Sequence, residues 1–305
     1  MREVAVVTTG FFDGVHLGHR HVLETLVSSA RERGEEAIVV TFWPHPRAVL
    51  QQDAREFRLL NSIEEKKARL LSCGVDRVEV IPFTREFAAL KADEYLQLLR
   101  ERFDASLVVM GYDNRIGSDR KTASELPESN ILVVDELPTA EKNYFSGRCP
   151  KNHFSSAIAT PTHISSTQVR QALEEGRIGN ANAMLGYSYE LYGVVVAGNR
   201  MGRTIGFPTA NMQLYEPLKL VPFNGVYAVE VEVLGGTYKG MCNIGVRPTV
   251  DGKTRTIETH ILDFDEDIYG LPLKVRFLKR IRDERKFPSL EALREQLEKD
   301  RIECI

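Results

Sequence analysis

Two histidines spaced three residues apart, His16 and His19, lie in the stretch TTGFFDGVHLGHRHV, which follows an apolar β-branched run and opens a helical pattern. That spacing puts both side chains on one face of a helix, if the helix has begun by then. At such a start, unpaired main-chain N–H groups and the positive end of the helix dipole form a ready anion site. Two imidazoles placed there can donate hydrogen bonds to phosphate oxygens and stabilise charge developing on phosphorus. Gly10, Gly14 and Gly18 would let the backbone approach such a ligand closely. Far along the chain, GNRMGRTIGFPTANM at Gly198–Met212 again combines glycine with charge, without the Gly-Lys-Ser/Thr ending of a P-loop. Gly198, Gly202 and Gly206 would let main-chain amides face phosphates by loop geometry alone. The plainer alternatives are surface histidines beside a turn for the first stretch and an ordinary β-turn for the second.

The elements around the first stretch alternate. EVAVVTTG, EAIVVTF, DRVEVIPF, SLVVMGYD and NILVVDEL read as strands buried on both faces. Between the first two, Val22, Leu23, Leu26, Val27 and Ala30 form a helical stripe closed by Gly34. Ser62 and Glu65 form a capping box for a second helix, and DEYLQLLRERF supplies a third. This alternation predicts an α/β, doubly wound parallel sheet whose ligands lie beyond the carboxyl ends of the strands. After about residue 185 the texture changes. YELYGVVVAG, GVYAVEVEVLGG, TYKGMCNIGV, TRTIETHILDF and PLKVRFLKRI are strand candidates with period-two alternation, which suits an antiparallel β-barrel. A terminal helix should place Leu290, Leu293 and Leu297 on one side. STQVRQALEEGRIGNANAMLG reads as a helical connector, so the expected domains are 1–184 and 185–305.

Bulk properties agree with two domains. A chain of 305 residues exceeds what one core usually serves. Its net charge of −3 gives no global attraction to nucleic acid or anionic membranes, so anion binding must be local. No basic recognition helix stands out. The four cysteines, Cys73, Cys149, Cys242 and Cys304, form no C-x-x-C pair, which argues against a zinc site or a disulfide framework and fits a reducing compartment. With no cleavable leader and no apolar run long enough to span a bilayer, the expected location is cytoplasmic.

The H-x-G-H turn resembles that of the nucleotidylyltransferase superfamily, which transfers a nucleotide from ATP or CTP to a phosphate or similar acceptor. A later signature of that superfamily, Ile-Ser-Ser-Thr-x-x-Arg, has its counterpart in ISSTQVR at Ile164–Arg170. Ser165, Ser166 and Thr167 would cap the connector helix and bond phosphate, and Arg170 would supply a forked cation. TFWPHPRAVL, IPFTREFAAL and GYDNRIGSDR follow in the order seen in the N-terminal module of prokaryotic bifunctional riboflavin kinase/FAD synthetases. GNRMGRTIGFPTAN resembles the ATP loop of their riboflavin kinase module, and NIGVRPTV, IETHILDFDEDIYG and RDERKFPSLEALREQL continue the match, which covers nearly the whole chain.

The resemblance implies two reactions. In the first module the phosphate of FMN attacks the α-phosphate of ATP, giving FAD and pyrophosphate. His16, His19 and Arg170 would stabilise the transition state, and Gly10, Phe11, Asp13, Gly18, Ser166 and Thr167 would bind ATP. In the second module Gly202, Arg203, Gly206, Phe207 and Pro208 would hold ATP, and Glu258 would be the general base for the terminal ribityl hydroxyl. Thr209 and Asn211 offer hard, neutral oxygens suited to Mg²⁺ held with substrate phosphates. Flavin contacts are implied at Asp113, Arg285 and Phe287. The partners are riboflavin, FMN and ATP, with no nucleic acid and no membrane.

The chain departs from the family pattern at Asn114 and Ile116, where these proteins typically have Phe, at Trp43, where an acidic residue is usual, and in the long stretch 144–163. All three departures are expected to border the flavin pocket of the adenylyl site, where Trp43, Tyr112, Tyr144 or Phe145 would have to supply stacking. His45, held between Pro44 and Pro46, fits a structural role. Cys149 and His153 are too few ligands for a metal site. His260 would share the strand face of Glu258 as a packing or hydrogen-bonding neighbour. Three readings stand: the bifunctional enzyme, a riboflavin kinase whose first module is inactive or uses another substrate, and a flavin- or nucleotide-binding regulator.

Overall fold

A computed structural model describes residues 4–50, 57–126, 130–137, 164–198, 201–249 and 252–305. The stretch 144–163, with Tyr144, Phe145, Cys149 and His153, lies outside them. Packing separates two compact units, the described residues through Ser166 and those from Thr167 onward.

The first unit contains β1 (Ala5–Thr9), α1 (Leu17–Arg33), β2 (Glu36–Trp43), α2 (Pro46–Leu50), α3 (Ile63–Ser72), β3 (Arg77–Pro82), α4 (Arg85–Ala88), α5 (Ala92–Phe103), β4 (Ala105–Gly111) and β5 (Ile131–Val134). Its strands form one parallel sheet in the order β3-β2-β1-β4-β5. Chain order runs outward from β1 to one edge and then resumes on its other side, so a switch point lies between β1 and β4. Two apolar layers cover the sheet. Val6, Leu23, Leu26, Val39 and Val109 pack with α1 on one face, and Val7, Leu96, Leu99, Val108 and Met110 pack with α5 on the other. The expected helix stripe, the Gly34 cap and the Ser62–Glu65 capping box are all present. The two edge strands correct the expectation of burial on both faces. Leu132 and Val133 of β5 are 37% and 45% exposed, and β3 buries only Ile81 fully. An apolar run shows a strand but not its place in the sheet, and the edges face water.

The second unit begins with α6 (Ser166–Glu174) and α7 (Ile178–Leu185), followed by β6 (Glu190–Val196), α8 (Met201–Thr204), β7 (Ala210–Leu214), β8 (Gly225–Val233), β9 (Gly236–Thr249), β10 (Gly252–Ile261), β11 (Pro272–Arg282) and α9 (Leu290–Ile302). Six strands close an antiparallel barrel in the order β10-β7-β6-β11-β8-β9. The connector is helical but broken into two at Gly176. Because α6 opens at Ser166, Ser166 and Thr167 lie in its first turn rather than ahead of it as caps. The terminal helix is present, and its leucine stripe is only partly buried. Leu290 is 48% exposed, whereas Asp300 is 1% exposed. The Asp300 carboxylate accepts from Arg282 Nε (2.9 Å), Arg282 Nη2 (2.7 Å) and Gln296 Nε2 (2.7 Å), which ties α9 to β11.

Removing one partner of a buried ion pair leaves the other charge uncompensated. Asp300→Ala should therefore destabilise the second unit by about 3 kcal/mol in urea denaturation. A loss below about 1 kcal/mol would mean that α9 is held by its apolar contacts instead.

Candidate active sites

The first site is built on the turn after β1. His16 is the N-cap of α1, and its Nδ1 accepts the main-chain N–H of His19 at 3.3 Å. A neutral His16 accepting at Nδ1 must carry its proton on Nε2. The two imidazoles stack, with centroids 3.6 Å apart and planes 15° apart. Burial, then the neighbouring His16 and Lys66, depress the pKa of His19, so this imidazole is held neutral. Its Nδ1 is sealed from solvent without a hydrogen-bond partner, a polar atom left for something to satisfy. The backbone is strained here as well. Phe12 and Val15 have φ of 52° and 38°, unusual for an aromatic and a β-branched residue and typical of a turn held for function.

A cavity of about 240 Å³ opens on this turn, lined by Phe12, His16, Gly18, His19, Asp113 and Ser166 among others. Its walls come from the segments after β1, β4 and β5, so it lies beyond the strand carboxyl ends, beside the switch point. Ser166 Oγ donates to the Asp13 carbonyl at 2.8 Å, linking the ISST segment to the histidine turn. Asp13 itself turns inward. It is 3% exposed, and its carboxylate accepts the main-chain N–H groups of Leu60 and Asn61 at 3.1–3.2 Å. Gly10 lies under the Phe12 ring, and the Phe11 ring meets the Lys66 ammonium and His45. Thr167 and Arg170 belong to the second unit, on the first turns of α6.

The departures now have places. Ile116 is 5% exposed and packed in the α5-side core, so it does not border the cavity. Asn114 lines the cavity, and its amide donates to Thr9 O at 3.4 Å. Trp43 ends β2 and is not among the lining residues. Tyr112 lines the cavity beside Asp113 and is 44% exposed. His45 sits between Phe11, which it meets edge-on, and Phe57, against which it is tilted, with ring centroids 3.9 and 4.1 Å away, and its Nδ1 accepts from Arg47 N, which is a structural role.

The second site lies where β7 meets β10. Glu258 is directly opposite Asn211 on one side and Asn243 on the other. The Asn211 amide rests on Gly198, where a Cβ would come within 2.1 Å of its Nδ2, so any larger residue would displace it. Gly202 closes the loop by accepting Phe207 N–H at 2.8 Å, and a Cβ there would meet Phe207 O at 2.1 Å. Phe207 is buried, while Arg203, Gly206 and Pro208 are exposed. A cavity of about 450 Å³ is lined by Arg203, Pro208, Thr209, Phe264, Asp267 and Tyr269 among others. Arg285 and Phe287 lie together after β11, the guanidinium 4.9 Å from the ring centroid, and do not line this cavity. Among the described residues, no group of three or more His, Cys, Asp or Glu side chains could hold a metal ion alone. No helix there is long and apolar enough to cross a membrane.

The riboflavin kinase family model matches residues 185–304, and the FAD synthetase family model matches residues 1–135. The bifunctional riboflavin kinase/FMN adenylyltransferase of Bacillus subtilis is 36% identical over 310 aligned residues, covering 99% of this chain and 92% of that protein. That of Escherichia coli K12 is 37% identical, covering 99% and 92%. The chain belongs to the bifunctional riboflavin kinase/FMN adenylyltransferase family. A solved structure described as a macrolide-efflux protein from Streptococcus pneumoniae superposes with a TM-score of 0.86 at 32% identity, covering 99% of this chain and 94% of that one.

One residue of the adenylyltransferase module escaped the sequence reading. Lys66 is 2% exposed beneath the histidine turn, donating to Phe11 O at 3.0 Å and Phe42 O at 3.4 Å, with its ammonium 3.9 Å from the Phe11 ring centroid. A lysine in a Lys-Lys pair reads as solvated, but Lys66 shares a helix face with the buried Leu70, four residues on. Burial lowers its pKa to about 8, against the opposing pull of Asp13. Below pH 8 the depressed pKa is a constant cost, because the ammonium is charged in folded and unfolded chains alike. From pH 8 to the ordinary lysine value only the unfolded chain keeps the proton, so stability rises with pH. Measured against Lys66→Met, the wild type should gain of order 3 kcal/mol between neutral pH and pH 11. A difference that stays flat with pH would contradict a buried, charged Lys66.

Proposed function

We propose that this chain makes FMN from riboflavin and ATP at the barrel site, and FAD from FMN and ATP at the switch-point site. What carries the reading is that each compact unit holds a separate set of phosphate-directed groups. One set is imidazoles at a helix start, and the other is a glycine loop facing a carboxylate-bearing strand.

At the barrel site the terminal ribityl hydroxyl gives its proton to the Glu258 carboxylate as its oxygen attacks the γ-phosphorus of ATP. The bond to the bridging oxygen breaks, and ADP leaves. Transfer of this kind asks for little covalent chemistry from the protein, so positioning and charge stabilisation carry the rate. Arg203 and the amides of the glycine loop would meet the phosphates. Thr209 and Asn211 fit Mg²⁺, because a hydroxyl and an amide oxygen are hard ligands and phosphate oxygens complete such a shell. When bound, the ion neutralises charge on the transferring phosphoryl group.

At the switch-point site the nucleophile is the phosphate of FMN, already anionic, so no general base is needed. It attacks the α-phosphorus of ATP, and pyrophosphate leaves. His19 is neutral, so it would meet phosphate oxygens as an N–H donor rather than as a full charge. Asp13 would act through the shape of its loop, since its carboxylate is already satisfied. Tyr112 and Asp113 line the cavity on the side where the isoalloxazine would lie.

Purified protein given riboflavin, ATP and Mg²⁺ should form FMN first and then FAD on a chromatographic time course, and chelation of the metal should stop both steps. FMN that accumulates without conversion, even when supplied directly, would remove the second activity. Glu258→Gln should lower riboflavin phosphorylation by roughly 10²-fold or more while FMN adenylylation continues. A kinase rate within about threefold of wild type would remove Glu258 from the role of base.

A further inference from the structure

The β7–β10 ladder runs out just where the kinase loop begins. Glu258 pairs with Asn211 and Thr259 with Ala210, and the next pair in register would join His260 to Thr209. No backbone pair is made there. Instead the His260 side chain reaches past that position, and its Nδ1 lies 2.7 Å from the Pro208 carbonyl. A carbonyl oxygen only accepts, so Nδ1 carries the proton. The imidazole also meets the buried Phe207 ring edge to face, with centroids 5.1 Å apart. His260 therefore grips both residues that precede Thr209.

We propose that His260 is a positioning residue of the kinase reaction: its Nδ1–H bond to Pro208 O holds the loop so that Thr209 is presented to the nucleotide and its metal. The proposal rests on the riboflavin kinase reading of this site. The loop needs such a hold because Pro208 has no N–H to pair, and because Gly206, two residues earlier, adopts φ of 83° and imposes little stiffness. A side chain that replaces the missing rung fixes the chain at the one point where a candidate metal ligand leaves the sheet. Burial keeps the imidazole pKa below its ordinary value, opposed by the bond to Pro208, while Arg301 lowers it and Asp263 and Glu298 raise it. Protonation does not break the latch, because neutral Nδ1–H imidazole and imidazolium both donate from Nδ1.

Two substitutions separate the donor from the ring. His260→Phe keeps an aromatic group against Phe207 but cannot donate. His260→Asn gives up the ring but places an amide N–H near the position of Nδ1. The steady-state kinetics of riboflavin phosphorylation should show His260→Phe with a KM for Mg-ATP raised about tenfold and a KM for riboflavin within about twofold of wild type. His260→Asn should stay within about threefold of wild type for both. FMN adenylylation on the same polypeptide should be unchanged in both variants. Equal losses in the two variants, or no loss in His260→Phe, would overturn the proposal. In ¹⁵N-labelled wild-type protein, Nδ1 of His260 should be the protonated ring nitrogen, and an Nε2–H tautomer would overturn it independently of how the variants fold. If the wild type left riboflavin unphosphorylated, the kinase reading itself would fail, whereas the variant pattern on an active wild type bears on His260 alone.

Discussion

A triphosphate brings concentrated negative charge, and this chain of net charge −3 cannot attract it by bulk potential. The ligand has to be met by main-chain N–H groups that the fold leaves unpaired and by a few donors aimed at one place. That constraint accounts for much of what is unusual in both units. In the first, the start of α1 supplies the amides, and the turn before it is wound through left-handed conformations at Phe12, Gly14 and Val15. In the second, the glycine loop ahead of Thr209 is closed on itself through Gly202 and Phe207, and its Pro208 carbonyl is bonded to His260 of β10.

The two sites also differ in how charge is handled. The adenylyl site keeps the His19 imidazole neutral and buries a cation, Lys66, beneath the turn, held by the carbonyls of Phe11 and Phe42. Low-dielectric surroundings make such a cation expensive in the free protein and effective once an anion arrives. The kinase site instead sets a half-buried carboxylate, Glu258, opposite an amide, Asn211, on neighbouring strands. Strand register fixes that pairing, since a one-residue slip would turn Glu258 to the other face of the barrel. On the proposed roles the two sites divide by nucleophile: donors without a base where it is already an anion, and the Glu258 carboxylate as base where it is a hydroxyl.

Much of this was legible in the sequence because local rules and tertiary packing agree. The helix stripe from Val22 to Ala30, the Ser62–Glu65 capping box and the β-branched strands each carry their own signal, and strand–helix alternation leaves few topologies. What was not legible depends on neighbours distant in sequence. The open edges of the sheet at β3 and β5 follow from strand order, which an apolar run does not encode. The burial of Asp300 on α9 depends on Arg282, and the burial of Lys66 depends on Phe11 and Phe42. Ile116 looked like a lost aromatic contact until its side chain was found in the α5-side core. At the site, residue types in motifs were readable, but their orientations were not. Asp13 turns inward to the main-chain N–H groups of Leu60 and Asn61, and the His260 imidazole reaches the Pro208 carbonyl just ahead of Thr209.

Whether one chain carries two phosphate-transfer sites with opposite uses of ATP is tested most directly by incubating it with riboflavin and ATP carrying ³²P at either the γ or the α position. The γ-label should enter FMN and be retained in FAD, while the α-label should enter FAD alone. The absence of α-label from every flavin, or its appearance in FMN, would contradict the two-site reading.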